Sequence, residues 1–195
     1  MGRVRSASSR PRTVGAVLVV AAVVVGFGLY WFQPWKLWQD ETVREALPGT
    51  VAASTAPAEA PAGEPSGEPS GADAATAGPV TVASGELISH EHATSGTVKL
   101  VQLADGSHVV RLERLDTSNG PDLRVWLTDA PVKEGTAGWR VFDDGEYVSL
   151  GKLKGNKGSH NYALPEDVDP ARFSSVSIWC DRFDVSFGAA ELARA

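Results

Sequence analysis

The chain of 195 residues contains one cysteine, Cys180, and one methionine, Met1. A lone cysteine excludes a disulfide within the chain, so the fold is not a stapled scaffold. The thiol is then a buried inert group, an intermolecular link or a reactive centre. Acid is absent from the first 39 residues, Asp40 being the first carboxylate. Five of the 18 basic residues (Arg3, Arg5, Arg10, Arg12 and Lys36) precede it, leaving 13 basic against 24 acidic residues beyond, a balance of −11. That sign speaks against nucleic acid as a partner, since binding there relies on clustered Lys and Arg. A Ser-His-Asp order and a nucleophile elbow are also missing, so hydrolysis has no support and no stand-alone enzyme is expected. The Gly155 to Gly158 run lacks the G-x-x-x-x-G-K-[ST] phosphate cradle and reads as a hairpin turn.

What is present begins with V-G-A-V-L-V-V-A-A-V-V-V-G-F-G-L-Y-W-F, residues 14–32, nineteen positions without a charge. That is the length needed to cross a hydrocarbon layer of roughly 30 Å as a helix, with membrane lipid as its partner. Tyr30, Trp31, Phe32, Trp35 and Trp38 form an interfacial belt at one end, and four arginines precede the run. The positive-inside tendency puts the basic tail, residues 1–13, in the cytoplasm and the remainder outside, as a single-pass plasma-membrane protein. Bulky aromatics stand where a signal-peptidase site would need small residues, so an uncleaved anchor is expected.

Within the juxtamembrane segment 33–47, D-E-T-V-R-E-A-L at 40–47 has the acidic start and one-sided apolar pattern of a short helix stopped by Pro48-Gly49. Residues 48–79 are dominated by Ala, Pro, Gly, Ser, Thr and Glu, with G-E-P-S twice in tandem, the composition of a disordered linker. As a coil it would separate its ends by roughly 30 Å and, fully extended, by about 100 Å, a flexible stalk. Residues 80–195 carry strand-like runs at 97–103, 108–112, 122–127, 146–150, 161–164, 175–180 and 183–187, with turn residues between. The fold class is therefore all-β, an antiparallel β-sandwich or barrel-like domain behind a single transmembrane helix and linker.

In V-S-I-W-C-D-R-F-D-V-S-F-G, residues 176–188, Val176, Ile178 and Cys180 alternate with Ser177 and Trp179, the period of a half-buried strand with Cys180 on the core side. Asp181 and Arg182 break the alternation, predicting a bulge or tight bend. Trp126, Trp139 and Trp179 read as packing residues. Asp122, following a Gly-Pro turn, is expected to bond local backbone amides.

G-P-D-L-R-V-W-L at 120–127, Y-V-S-L-G-K-L-K-G-N-K-G-S-H-N-Y-A-L-P at 147–165 and V-S-I-W-C-D-R-F-D-V-S-F-G-A-A-E-L at 176–192 together resemble the DM13 domain, the electron-transfer DM13 family. The likeness spans 85–192. It implies a small β-rich extracellular module, found beside DOMON and cytochrome b561-type domains in animals and alone behind membrane anchors in bacteria. It also implies an electron-transfer role centred on a cysteine nearly universal in the family, here Cys180. With no second cysteine, thiol cycling needs another extracytoplasmic or membrane redox protein or a small thiol.

Metal and haem remain open as cofactors. His90 and His92 in H-E-H would share a face if extended, and His160 with Cys180 would supply one nitrogen and one sulfur ligand. All four histidines precede Cys180, unlike the cupredoxin order. The competing reading is a non-redox extracellular binding or structural module on a flexible stalk, in which Cys180 only packs.

Overall fold

The computed structural model describes residues 10–50 and 78–195. The helix α1 (Arg10–Phe32) leaves its apolar side chains uncovered, with Val17 67% and Val24 64% exposed. It is long and apolar enough to span a membrane. Gln33 ends it in the left-handed region (φ 44), its N–H reaching Leu29 O at 2.9 Å, and Pro34 opens a 3-10 turn over Pro34–Trp38. A left-handed residue followed by proline is a common way to terminate a helix.

The strands are β1 (Thr42–Arg44), β2 (Val80–Glu86), β3 (Ile88–Ser89), β4 (Ser95–Gln102), β5 (His108–Asp116), β6 (Leu123–Thr128), β7 (Tyr147–Lys152), β8 (Lys157–Ala163), β9 (Ser175–Cys180), β10 (Val185–Glu191) and β11 (Ala193–Arg194). They form a six-stranded sheet in the order β1-β8-β5-β4-β2-β11 and a five-stranded sheet in the order β3-β10-β9-β6-β7. Every pairing is antiparallel except β1 with β8. The protein is thus an all-β sandwich behind one apolar helix. The core joins Val98, Leu100, Val110 and Leu112 of one sheet to Val125, Leu127, Val176 and Ile178 of the other, all inaccessible to solvent.

Three expectations are corrected. Residues 40–47 do not form a helix: Val43 pairs with Gly158, Lys157 donates to Glu41 O at 3.1 Å, and Glu45 donates to Ser159 O at 2.9 Å. Eight residues have little helical stability of their own, so pairing with an open sheet edge prevails. Gly158 admits the strand: its φ is +105°, and a Cβ there would stand 1.9 Å from Val43 O.

The chain reaches the sandwich at β1, ahead of the expected linker, and Gly49 lies so near Pro79 that a Cβ on it would meet that ring at 3.3 Å. The linker expected over 48–79 falls mostly on residues outside those described.

The run Gly155 to Gly158 is not a hairpin. It carries the chain from β7 in the five-stranded sheet to β8 in the six-stranded sheet, a corner of the sandwich. Finally, β9 is buried at all six positions rather than half-buried. Its outer face carries Trp179, which with Trp126, Phe142 and Ala189 makes a second apolar cluster beneath the β6–β7 connection. The Trp126 ring stacks on Trp179 at 4.8 Å and on Tyr147 at 3.9 Å, so these tryptophans pack as expected.

Candidate functional site

Cys180 closes β9 at the end of the sandwich that faces α1, opposite Leu123 of β6 and Val185 of β10. The side-chain alternation points its sulfur into the core, where the residue is 0% exposed. The break at Asp181-Arg182 is a tight turn: Phe183 N–H reaches Cys180 O at 3.2 Å, and Asp184 sits at φ 49. The strand irregularity itself lies further on, between Ser186 and Gly188.

Burial pushes the thiol above its ordinary range, with a smaller push from the Glu91 carboxylate. The nearby backbone N–H groups of Arg182, Phe183 and Asp122 oppose that rise without overcoming it. Desolvation outweighs them, so the neutral thiol dominates near pH 7. The Arg182 guanidinium does not approach the sulfur. It donates to Trp31 O at 2.5 Å and lies 5.0 Å from the Trp31 ring centre, tying the hairpin to the end of α1. Asp122 bonds no local amide through its side chain: it faces Arg124 at 3.5 Å and Lys152 at 3.7 Å. Arg124 Nε lies 3.1 Å from Asp181 Oδ2 without aiming a hydrogen at it, so that contact is ionic and not a hydrogen bond.

The three histidine candidates lie in separate settings. His90 Nε2 must donate to Lys133 O (3.1 Å), a group that only accepts, which leaves Nδ1 to accept from Ser186 Oγ at 2.8 Å. His160 is held the same way, Nε2 to Lys157 O at 3.1 Å and Nδ1 against Tyr162 Oη at 3.3 Å. Both lone pairs that a metal would need are engaged. Burial lowers both imidazoles below their ordinary range, with the carbonyl bonds opposing. His92 instead lies tilted over Phe187, ring centres 4.0 Å apart, and 3.9 Å from Glu91. Among the described residues, no group of three or more His, Cys, Asp and Glu side chains is placed to hold a metal ion.

A feature unanticipated from the sequence lies between α1 and the domain. Phe32 stacks on Phe183 at 5.8 Å and 20°, and beside them opens a cleft of about 230 Å³ walled by Phe32, Gln33, Pro34, His92, Phe183 and Phe187. Its contributors are scattered from 32 to 187 with no local spacing to reveal them; the aromatic belt at 30–38 was the only local signal.

The family described as Electron transfer DM13 matches residues 86–192. No curated protein and no solved structure matches the chain. The matched span covers more than half of the sequence, including β4 to β10 and the Cys180 hairpin, and so the chain belongs to the electron-transfer DM13 family.

Proposed function

We propose that this chain is a single-pass plasma-membrane electron-transfer module, with its N-terminus cytoplasmic, its β-sandwich extracytoplasmic and Cys180 as its redox centre. Its partner is another extracytoplasmic or membrane redox protein. The observation that supports it best is the setting of the one sulfur: it is fully buried at the end of β9 nearest α1, beside backbone N–H groups of Arg182, Phe183 and Asp122 that favour negative charge there, in a domain of an electron-transfer family. Arrival of negative charge at that sulfur would be met by donors already in place.

The neutral, shielded thiol does not favour open thiol–disulfide exchange, because attack requires thiolate and access. Exchange with a partner then requires the turn at 181–184 to open. The 0% exposure of Cys180 favours one alternative, a non-redox binding or structural module in which the sulfur only packs.

The two readings separate in the full-length chain purified in mild detergent, compared with Cys180→Ser by absorption spectrum, metal content and reductive titration. An electron-accepting signal lost with the serine supports the first reading. Identical titrations remove Cys180 from the function and leave the module as packing and binding surface.

A further inference from the structure

We propose that the cleft between α1 and the Cys180 hairpin holds the ring of a lipid-soluble isoprenoid quinone drawn from the bilayer. The choice of a redox lipid rests on the electron-transfer reading above; the case for a membrane-derived ring rests on the cleft itself. Phe32 is both the last residue of the apolar helix and one wall of the cleft. A ligand whose tail lies among lipid chains therefore reaches it without crossing water, as the helix length matches a hydrocarbon layer.

The walls are flat and apolar. Phe32 and Phe183 stack, the His92 ring lies 4.0 Å from that of Phe187, and Pro34 and Pro121 close the edges. A volume of about 230 Å³ suits one substituted ring, and is below the roughly 300–1,000 Å³ of pockets that take drug-sized ligands.

Charge decides between a quinone and a phospholipid headgroup. Lys36 and Glu91 both line the cleft and cancel. Arg182, the neighbouring cation, is committed to the carbonyl and ring of Trp31. No net positive charge is left for a phosphate, which is normally gripped by unopposed Arg or Lys. The Lys36 ammonium and Gln33 amide, by contrast, have no side-chain partner among the described residues and offer donors for two carbonyl oxygens. Bound there, the ring would lie against the tight turn that follows Cys180, closed by the Phe183 N–H on Cys180 O.

The test uses the full-length chain in phosphatidylcholine nanodiscs, an azido-quinone photoprobe and peptide mapping. Adducts should concentrate on 32–36 and 183–187, and excess unlabelled quinone should compete them away. Lys36→Met, at a half-buried position on the cleft wall, should cut labelling about tenfold, the scale of one hydrogen bond to a charged donor. Phe183→Ala should act similarly with its far-ultraviolet dichroism unchanged. Adducts spread along 14–31, insensitivity to both substitutions, or equal competition by phosphatidylglycerol would overturn the proposal. Cys180→Ser should leave labelling unchanged, so the quinone site and the cysteine-centred redox reading fail on separate measurements.

Discussion

Replacing Gly158 by alanine tests whether the segment that follows α1 is built into the sandwich. The residue sits at φ +105°, and the new Cβ would lie 1.9 Å from Val43 O, a backbone atom that no rotamer change can move. Backbone strain costs about 1–3 kcal/mol. Expulsion of β1 forfeits the Lys157–Glu41 and Glu45–Ser159 main-chain bonds, each about 0.5–1.5 kcal/mol. The total is roughly 4 kcal/mol, a fall of about 15 °C in the unfolding midpoint for a domain of this size. Gly151→Ala is the control: its φ is +111° with nothing within 4 Å of the added carbon, so it reports strain alone, about half that fall. Calorimetry gives the midpoints, and hydrogen exchange at the Glu45 amide reports β1 directly. Equal midpoint shifts for the two variants, or a Glu45 amide still protected in Gly158→Ala, would refute the reasoning.

The buried histidines make stability pH-dependent. His90 and His160 are held below their ordinary value of 6.5, so the unfolded chain takes up protons first. Their contribution is intact above that pH and is lost as pH falls through it toward the folded values. Urea midpoints should therefore drop between pH 7.5 and 5, and the drop should shrink in His160→Asn; a profile unchanged by that substitution removes the assignment. Against the desolvation of its carboxylate, Glu113 is held low by Lys99 and Arg111, and Glu45 is held low by Lys154; both act in a more acidic window, below 4.5, again losing stability as pH falls. Native Cys180 should resist iodoacetamide at pH 8 and react fully in denaturant, read by intact mass; rapid native labelling would contradict its burial. Trp179→Ala empties a fully buried site and should cost about 3–5 kcal/mol by denaturant titration; a cost under about 1 kcal/mol would mean the outer cluster is loose.

The alternation of Val176, Ile178 and Cys180 was legible because strand period alone decides which side chains share a face. The apolar helix was legible because its length and lack of charge depend on no partner. What hid was set by contacts distant in sequence. The short run around Val43 carries the local pattern of a helix, and only Gly158, more than a hundred residues away, makes it a strand. Trp179 read as a packing residue, but what covers it was hidden, because the cover comes from the β6–β7 connection, whose own sequence is irregular. The Gly155 to Gly158 turn is the same local chemistry whether it joins paired strands or changes sheets, so sequence could not separate the two. Of the candidate site, the core-facing cysteine was foreseeable, whereas its separation from all three histidines and the cleft beside it depended on how the elements assemble.

The meeting of Gly49 and Pro79 bears on how this protein would respond to a protease. In an anchor joined to a domain by a tether, one cut in the tether sheds the domain. Here a cut anywhere in 51–77 divides the polypeptide but leaves β1 zipped to β8, Arg182 clasping Trp31 and Phe32 against Phe183. The two fragments should migrate apart only in denaturant, and in a clipped molecule the sandwich would stay joined to its apolar helix.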